Sequence, residues 1–132
     1  MTSLKTTVAK LSPIGLISKF KEWRTTCRKE RIEKYQEMDL KRTTEEAEAR
    51  KWETQALAYA QSGDWKNAQG TVFNAEFSWR NAWENINPLT PNARETRRRY
   101  ENNIFRCDAR GREYDDNLRR QESEQKQRAA SA

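Results

Sequence analysis

Only seven of the 132 residues are glycine or proline, and that scarcity fixes the fold class before any motif is read. A β fold turns back every ten residues or so and builds its turns largely on those two types. No stretch alternates apolar and polar residues as a half-buried strand would. The chain is therefore expected to be all-α. Leu, Ile, Val and Phe together number 18, a level typical of disordered chains. Against disorder stand a net charge of only +6 and nine large rings, five Trp and four Tyr. The expected core is aromatic plus alanine, within a single domain.

The most informative segment is a corner. Trp52, Ala56 and Tyr59 share one helix face at steps of four and three, Gly63-Asp64-Trp65 follows, and Ala68 and Ala75 continue beyond it. Gly63 can take the left-handed conformation that ends a helix. Asp64 can cap the next helix, facing its free N–H groups and the positive end of its dipole. The small alanines would let two helices approach while the rings fill the space between them. This pattern over residues 49–82 resembles one tetratricopeptide repeat, an antiparallel helix pair that displays a surface to a partner. The segment departs from the family's pattern at Gln55, where leucine is usual, and at Val72, where a larger side chain is usual. The closing proline is also late, arriving only at Pro88. No second copy follows at a period near 34 residues.

The remainder reads as flanking helices. Residues 1–12 form a flexible basic arm. Residues 1–21, with four lysines, no acid, and Leu4, Val8 and Leu11 at helical spacing, would look the same as a targeting leader, a membrane-surface helix or a frayed end. Ser12 and Pro13 open a helix over about 13–41, with Leu16, Phe20, Trp23, Cys27, Tyr35 and Met38 as its apolar stripe. Thr43 with Glu46 reads as a capping box that starts a second helix, 44–62. The third spans 64–87. Asn87-Pro88-Leu89-Thr90-Pro91 is the clearest break, and Thr90 as cap with Pro91 behind it opens a fourth helix over 91–127, leaving 128–132 frayed. Along that helix Tyr100, Ile104, Cys107, Gly111, Tyr114 and Leu118 form a heptad seam. The seam either covers the hairpin or pairs with the same seam of a second chain.

Several functions are disfavoured. There is no histidine, and Cys27 and Cys107 stand 80 residues apart with no partner at metal spacing. They read as reduced thiols of a cytoplasmic protein. No glycine-rich phosphate loop or nucleophile motif occurs, so neither an enzyme nor a cofactor is expected. No apolar run exceeds Ile14 to Ile17, which excludes a membrane span.

Charge is segregated. Residues 44–92 carry −3, whereas 1–21 carry +4, 22–43 carry +2 and 93–132 carry +3. On the last helix, acids four residues before bases, such as Asp108 with Arg112 and Asp115 with Arg119, spend much of that charge on the helix itself. Arg94, Arg97, Arg98 and Arg99 are different, because cations in the first turns oppose the helix dipole. They are candidates for an anion or nucleic-acid contact, or for pairing with the acidic hairpin. The leading expectation is a small non-enzymatic adaptor that binds another protein or peptide. The repeat resemblance places its groove at Arg50, Glu53, Thr54, Leu57, Ala60 and Gln61. The alternative is a nucleic-acid-binding regulator, or a virus- or plasmid-type host-interaction protein, that uses the basic flanks.

Overall fold

The computed structural model describes residues 12–132, so the reading of the amino-terminal arm through Leu11 lies outside the described residues. Three helices carry nearly all of them: α1, Pro13–Gln61; α2, Trp65–Glu84; and α3, Ala93–Ser131. There is no strand among the described residues. The all-α expectation holds, and the four-helix arrangement is corrected to three.

The missing boundary is the one placed at 41–44. Thr43 and Thr44 both donate their hydroxyls to the Leu40 carbonyl at 2.9 Å. That is how threonine sits inside a helix, not at its start. No glycine or proline lies between Gly15 and Gly63, and Lys41, Glu45, Ala47 and Glu48 all favour helix, so a capping box alone does not interrupt the run. At its start α1 agrees with the sequence: the Gly15 N–H donates to Ser12 Oγ at 3.1 Å, and Pro13 opens the first turn.

The corner forms as expected. Gly63 has φ +77°, its N–H donates to Ala60 O at 3.1 Å, and the Asp64 N–H reaches back to Tyr59 O at 2.9 Å. Those two bonds are a Schellman motif, which satisfies the carbonyls that a helix end leaves free. Asp64 then caps α2 by accepting from the Asn67 N–H at 3.3 Å.

The start of α3 differs from expectation. Its first residue is Ala93 and its cap position is Asn92 in the left-handed region, with no side-chain cap bond. The Thr90 hydroxyl is already engaged, accepting from the Asn87 N–H at 3.0 Å and donating to Asp39 Oδ1 at 3.2 Å. Asn87 Nδ2 donates to the same carboxylate oxygen at 3.1 Å. The loop is thus fastened to α1 rather than spent on capping. At the other end α3 continues to Ser131 instead of stopping near 127, carried by Ala129 and Ala130.

The chain divides into two compact units, Met1–Gln36 and Glu37–Ala132. In the first, the described residues belong to α1 and its cap. In the second, the rest of α1 meets α2 and α3 around Ala49, Ala56, Ala68, Val72, Ala75, Trp79, Ala82, Tyr100, Cys107 and Tyr114. Trp52, Tyr59 and Trp65 pack against this core, as the corner predicted. The closest backbone approach, however, joins α2 to α3 rather than the two arms of the hairpin. Small residues meet there: a Cβ added to Gly111 would lie 3.6 Å from Val72 Cγ1. Where α1 faces α2, Trp52, Tyr59 and Trp79 are too large for that approach. Rings also pair across α2 and α3, Trp79 with Tyr100 at 5.5 Å between centroids and Trp65 with Tyr114 at 5.8 Å.

Candidate functional site

Heptad spacing explains how the second unit brings its polar groups together. In α1 the inward positions fall at Arg42, Glu46, Ala49, Glu53, Ala56 and Ala60, alternating steps of four and three. Three of the six are charged, so the bundle carries polar layers between its alanine layers. In one, Glu46 Oε2 accepts from Tyr100 Oη at 2.6 Å, Arg42 Nη1 donates to the same phenol oxygen at 2.9 Å, and Arg99 Nη2 reaches Glu46 Oε1 at 3.3 Å. In the other, Glu53 accepts from Trp79 Nε1 at 3.2 Å, from Arg106 at 2.8–3.0 Å and from Cys107 Sγ at 3.3 Å. Arg110 stands 3.7 Å from the same carboxylate.

These contacts shift several acidities. Burial, then the Glu53 carboxylate, push the Cys107 thiol up to about 12, so it stays protonated and unreactive. Burial and the bond to Glu46 also raise Tyr100. Burial alone would raise Glu46, but donation from Tyr100 and Arg50 outweighs it and holds the carboxyl low. Among the described residues no group of three or more His, Cys, Asp or Glu side chains is placed to hold a metal ion.

The six residues assigned to a binding groove do not make one open surface. The Glu53 side chain is only 11% exposed and serves the interior, and Ala60 packs against the core. Arg50 bonds Glu46 at 2.8 Å and lies over the Trp79 ring, 5.9 Å from its centroid. Thr54 and Gln61 are exposed, as is Leu57 at 45%. α3 meets the inner edge of this face through Arg106 and Cys107.

The arginine cluster splits as well. Arg99 is paired internally, to Glu46, and lies over the Tyr100 ring. Arg94, Arg97 and Arg98 are exposed, with no acid within 4.0 Å among the described residues. The seam from Tyr100 to Leu118 faces inward, with Tyr100, Cys107 and Tyr114 buried and Ile104, Gly111 and Leu118 half-buried. Dimerisation through that seam is therefore replaced by packing within the chain.

A different surface stands open. Between α2 and α3 runs a groove whose wider part, about 430 Å³, is lined by Arg80, Trp83, Glu84, Glu101, Ile104, Phe105 and Asp108. Asp108 also borders its continuation past Phe73, Glu76 and Arg112 to Asp115. Phe105 is 76% exposed, Phe73 66%, and Phe77, one turn on from Phe73, 60%. Five carboxylates line the groove against two guanidiniums. Glu84 and Glu101 meet no cation within 4.0 Å among the described residues; Glu101 accepts only from Trp83 Nε1, at 3.2 Å. The sequence reading placed Phe73 and Phe77 in the third helix and assigned no role to Phe105. The signal was their register: Phe105 falls one residue past the seam, and Phe73 and Phe77 lie off the Ala68–Ala75–Ala82 stripe.

No protein-family model matches the chain, and neither curated proteins nor solved structures provide a match.

Proposed function

We propose that this protein is a non-enzymatic helical adaptor that holds a basic amphipathic helix of another protein in the groove between α2 and α3. The observation that carries this reading is the set of exposed rings along the groove, Phe73, Trp83 and Phe105, beside an excess of carboxylates. Exposed apolar area on that scale marks interaction surfaces. A helix-in-groove partner would supply apolar anchors at steps of three and four and cations toward Glu84 and Glu101. The Gly63 bend and the buried Ala56, Ala68 and Ala75 support reading residues 49–82 as one repeat-like hairpin, with α3 as the cover that a lone repeat needs.

A 14-residue peptide of leucine and lysine in helical register tests the proposal by fluorescence anisotropy. Saturable binding is expected, at least tenfold weaker in Phe73→Ser/Phe105→Ser, with a glutamate-for-lysine peptide failing to bind. Equal affinity of the variant, its helicity intact by circular dichroism, refutes the groove.

One observation favours a second reading. Arg94, Arg97 and Arg98 are free of acids at the start of α3, as a phosphate-binding surface requires. Nucleic-acid binding through them would weaken steeply with salt, with a log–log slope near −0.9 per phosphate contacted. Flat salt dependence removes it.

A further inference from the structure

The opening turns of α1, in the first unit, carry an apolar face of their own. Leu16, Ile17, Phe20, Trp23 and Cys27 recur at steps of three and four and so share one side of the helix. Exposure is 61% at Trp23, 57% at Ile17, 56% at Phe20 and 42% at Leu16. The rings of Phe20 and Trp23 lie against one another, 5.8 Å between centroids, in the middle of this face.

Its borders are cationic. Lys19 is one turn before Trp23 on one flank, and Lys21 and Arg28 follow Ile17 on the other. Arg24 lies over the Phe20 ring, 5.9 Å from its centroid. From Pro13 to Lys29 there are five cations and a single acid, Glu22, which pairs with Lys19 at 3.4 Å. Opposite the apolar side, the Thr25 and Thr26 hydroxyls bond back to the Lys21 and Glu22 carbonyls. They ask nothing of a partner. The segment is about 25 Å long at 1.5 Å per residue. No helix among the described residues is long and apolar enough to cross a membrane.

We propose that residues 13–29 bind the surface of an anionic lipid bilayer, lying in its plane with Leu16, Ile17, Phe20 and Trp23 between the headgroups. The chemistry fits on three counts. Hydrocarbon would cover the apolar face, and an indole suits the interface between tails and water. Lysine and arginine stems can run along the inserted face and place their charges among phosphates on both flanks. Each cation near an anionic surface strengthens binding, and salt screens the effect. This rests on a different surface from the aromatic groove, and either can stand without the other.

The test uses the whole chain labelled at Cys27 with a polarity-sensitive fluorophore, Cys107 being buried and protonated. Vesicles of phosphatidylcholine with 30 mol% phosphatidylserine are compared with phosphatidylcholine alone. Co-sedimentation and a blue shift of the label are expected with the anionic vesicles only, and both are expected to fall as salt rises. Phe20→Ser/Trp23→Ser and Lys21→Glu/Arg28→Glu should each weaken partitioning about tenfold or more. Absence of wild-type binding at low salt overturns the proposal, as does equal binding by both variants. A self-association that Phe20→Ser/Trp23→Ser abolishes, without vesicle binding, would assign the face to a second copy and overturn the lipid assignment.

Discussion

Residues 13–36 and 37–61 belong to one helix and use their apolar side chains in opposite ways. The first stretch keeps Ile14, Ile17, Phe20 and Trp23 more than half exposed. The second buries Ala49 and Ala56 and turns Arg42, Glu46 and Glu53 inward. Hydrophobicity alone would have placed the core in the wrong stretch. What decides burial is whether another helix presents a matching heptad, and α2 and α3 present theirs to the alanine-and-glutamate stretch.

The contrast is broken most directly at tryptophan. Trp79 is 1% exposed and anchors both the ring pair with Tyr100 and the bond to Glu53. Trp79→Ala should cost about 3–5 kcal/mol in urea unfolding, since it leaves a cavity the size of an indole. Trp23→Ala should stay within about 0.5 kcal/mol, as exposed substitutions do. Comparable losses at the two sites would mean that the first stretch is covered after all.

Glutamate gives a smaller and sharper comparison. Removing the Glu53 carboxylate leaves the indole N–H of Trp79 and two arginines without their acceptor, at a cost of about 1–3 kcal/mol for Glu53→Ala. Glu22 pairs with Lys19 between side chains about two-thirds exposed, and Glu22→Ala should change stability by less than about 0.5 kcal/mol. A double-mutant cycle of Glu53 with Arg106 separates the ion pair from the indole bond, because Arg106 is itself 43% exposed and can hydrate when released.

How legible this was depended on which residue types carry the pattern. The corner could be read because glycine with φ +77° and an aspartate cap act locally. The α3 seam could be read because Tyr100, Ile104, Cys107 and Tyr114 are apolar or aromatic at heptad steps. The matching seam of α1 has the same spacing but places Glu46 and Glu53 where apolar residues are sought, so it did not read as a seam and Glu53 was assigned to a partner groove. Thr43 with Glu46 mimicked a capping box for the same reason: Glu46 belongs to Tyr100 and Arg99 on another helix, and no local rule sees that partner. Phe73, Phe77 and Phe105 carried no role in the sequence, since only their register, off the apolar stripes, marks them as exposed.

The two cysteines carry the smallest expected effect and the cleanest reading of it. Cys27 is half-buried in the first unit, whereas Cys107 is 1% exposed and bonded to Glu53. In the native protein a thiol reagent near pH 8 should titrate one cysteine promptly, with the second reacting only on unfolding. The pH dependence of stability follows from the same site. Folding raises the Cys107 thiol from 9.0 to about 12, so the folded state holds its proton more tightly than the unfolded chain does. That contribution is fully present below pH 9 and is lost as pH rises toward 12. Tyr100, also raised, adds to the loss above pH 10. Glu46 works with the opposite sign: its lowered carboxyl stabilises the fold above about pH 4.3 and ceases to do so in more acid solution. Melting curves from pH 3 to 11 should therefore show a plateau between about pH 5 and 9. Cys107→Ala should flatten the alkaline limb. An alkaline limb unchanged in Cys107→Ala would show that the buried thiol does not govern it and leave the two raised tyrosines, Tyr100 and Tyr114, as the titrating groups.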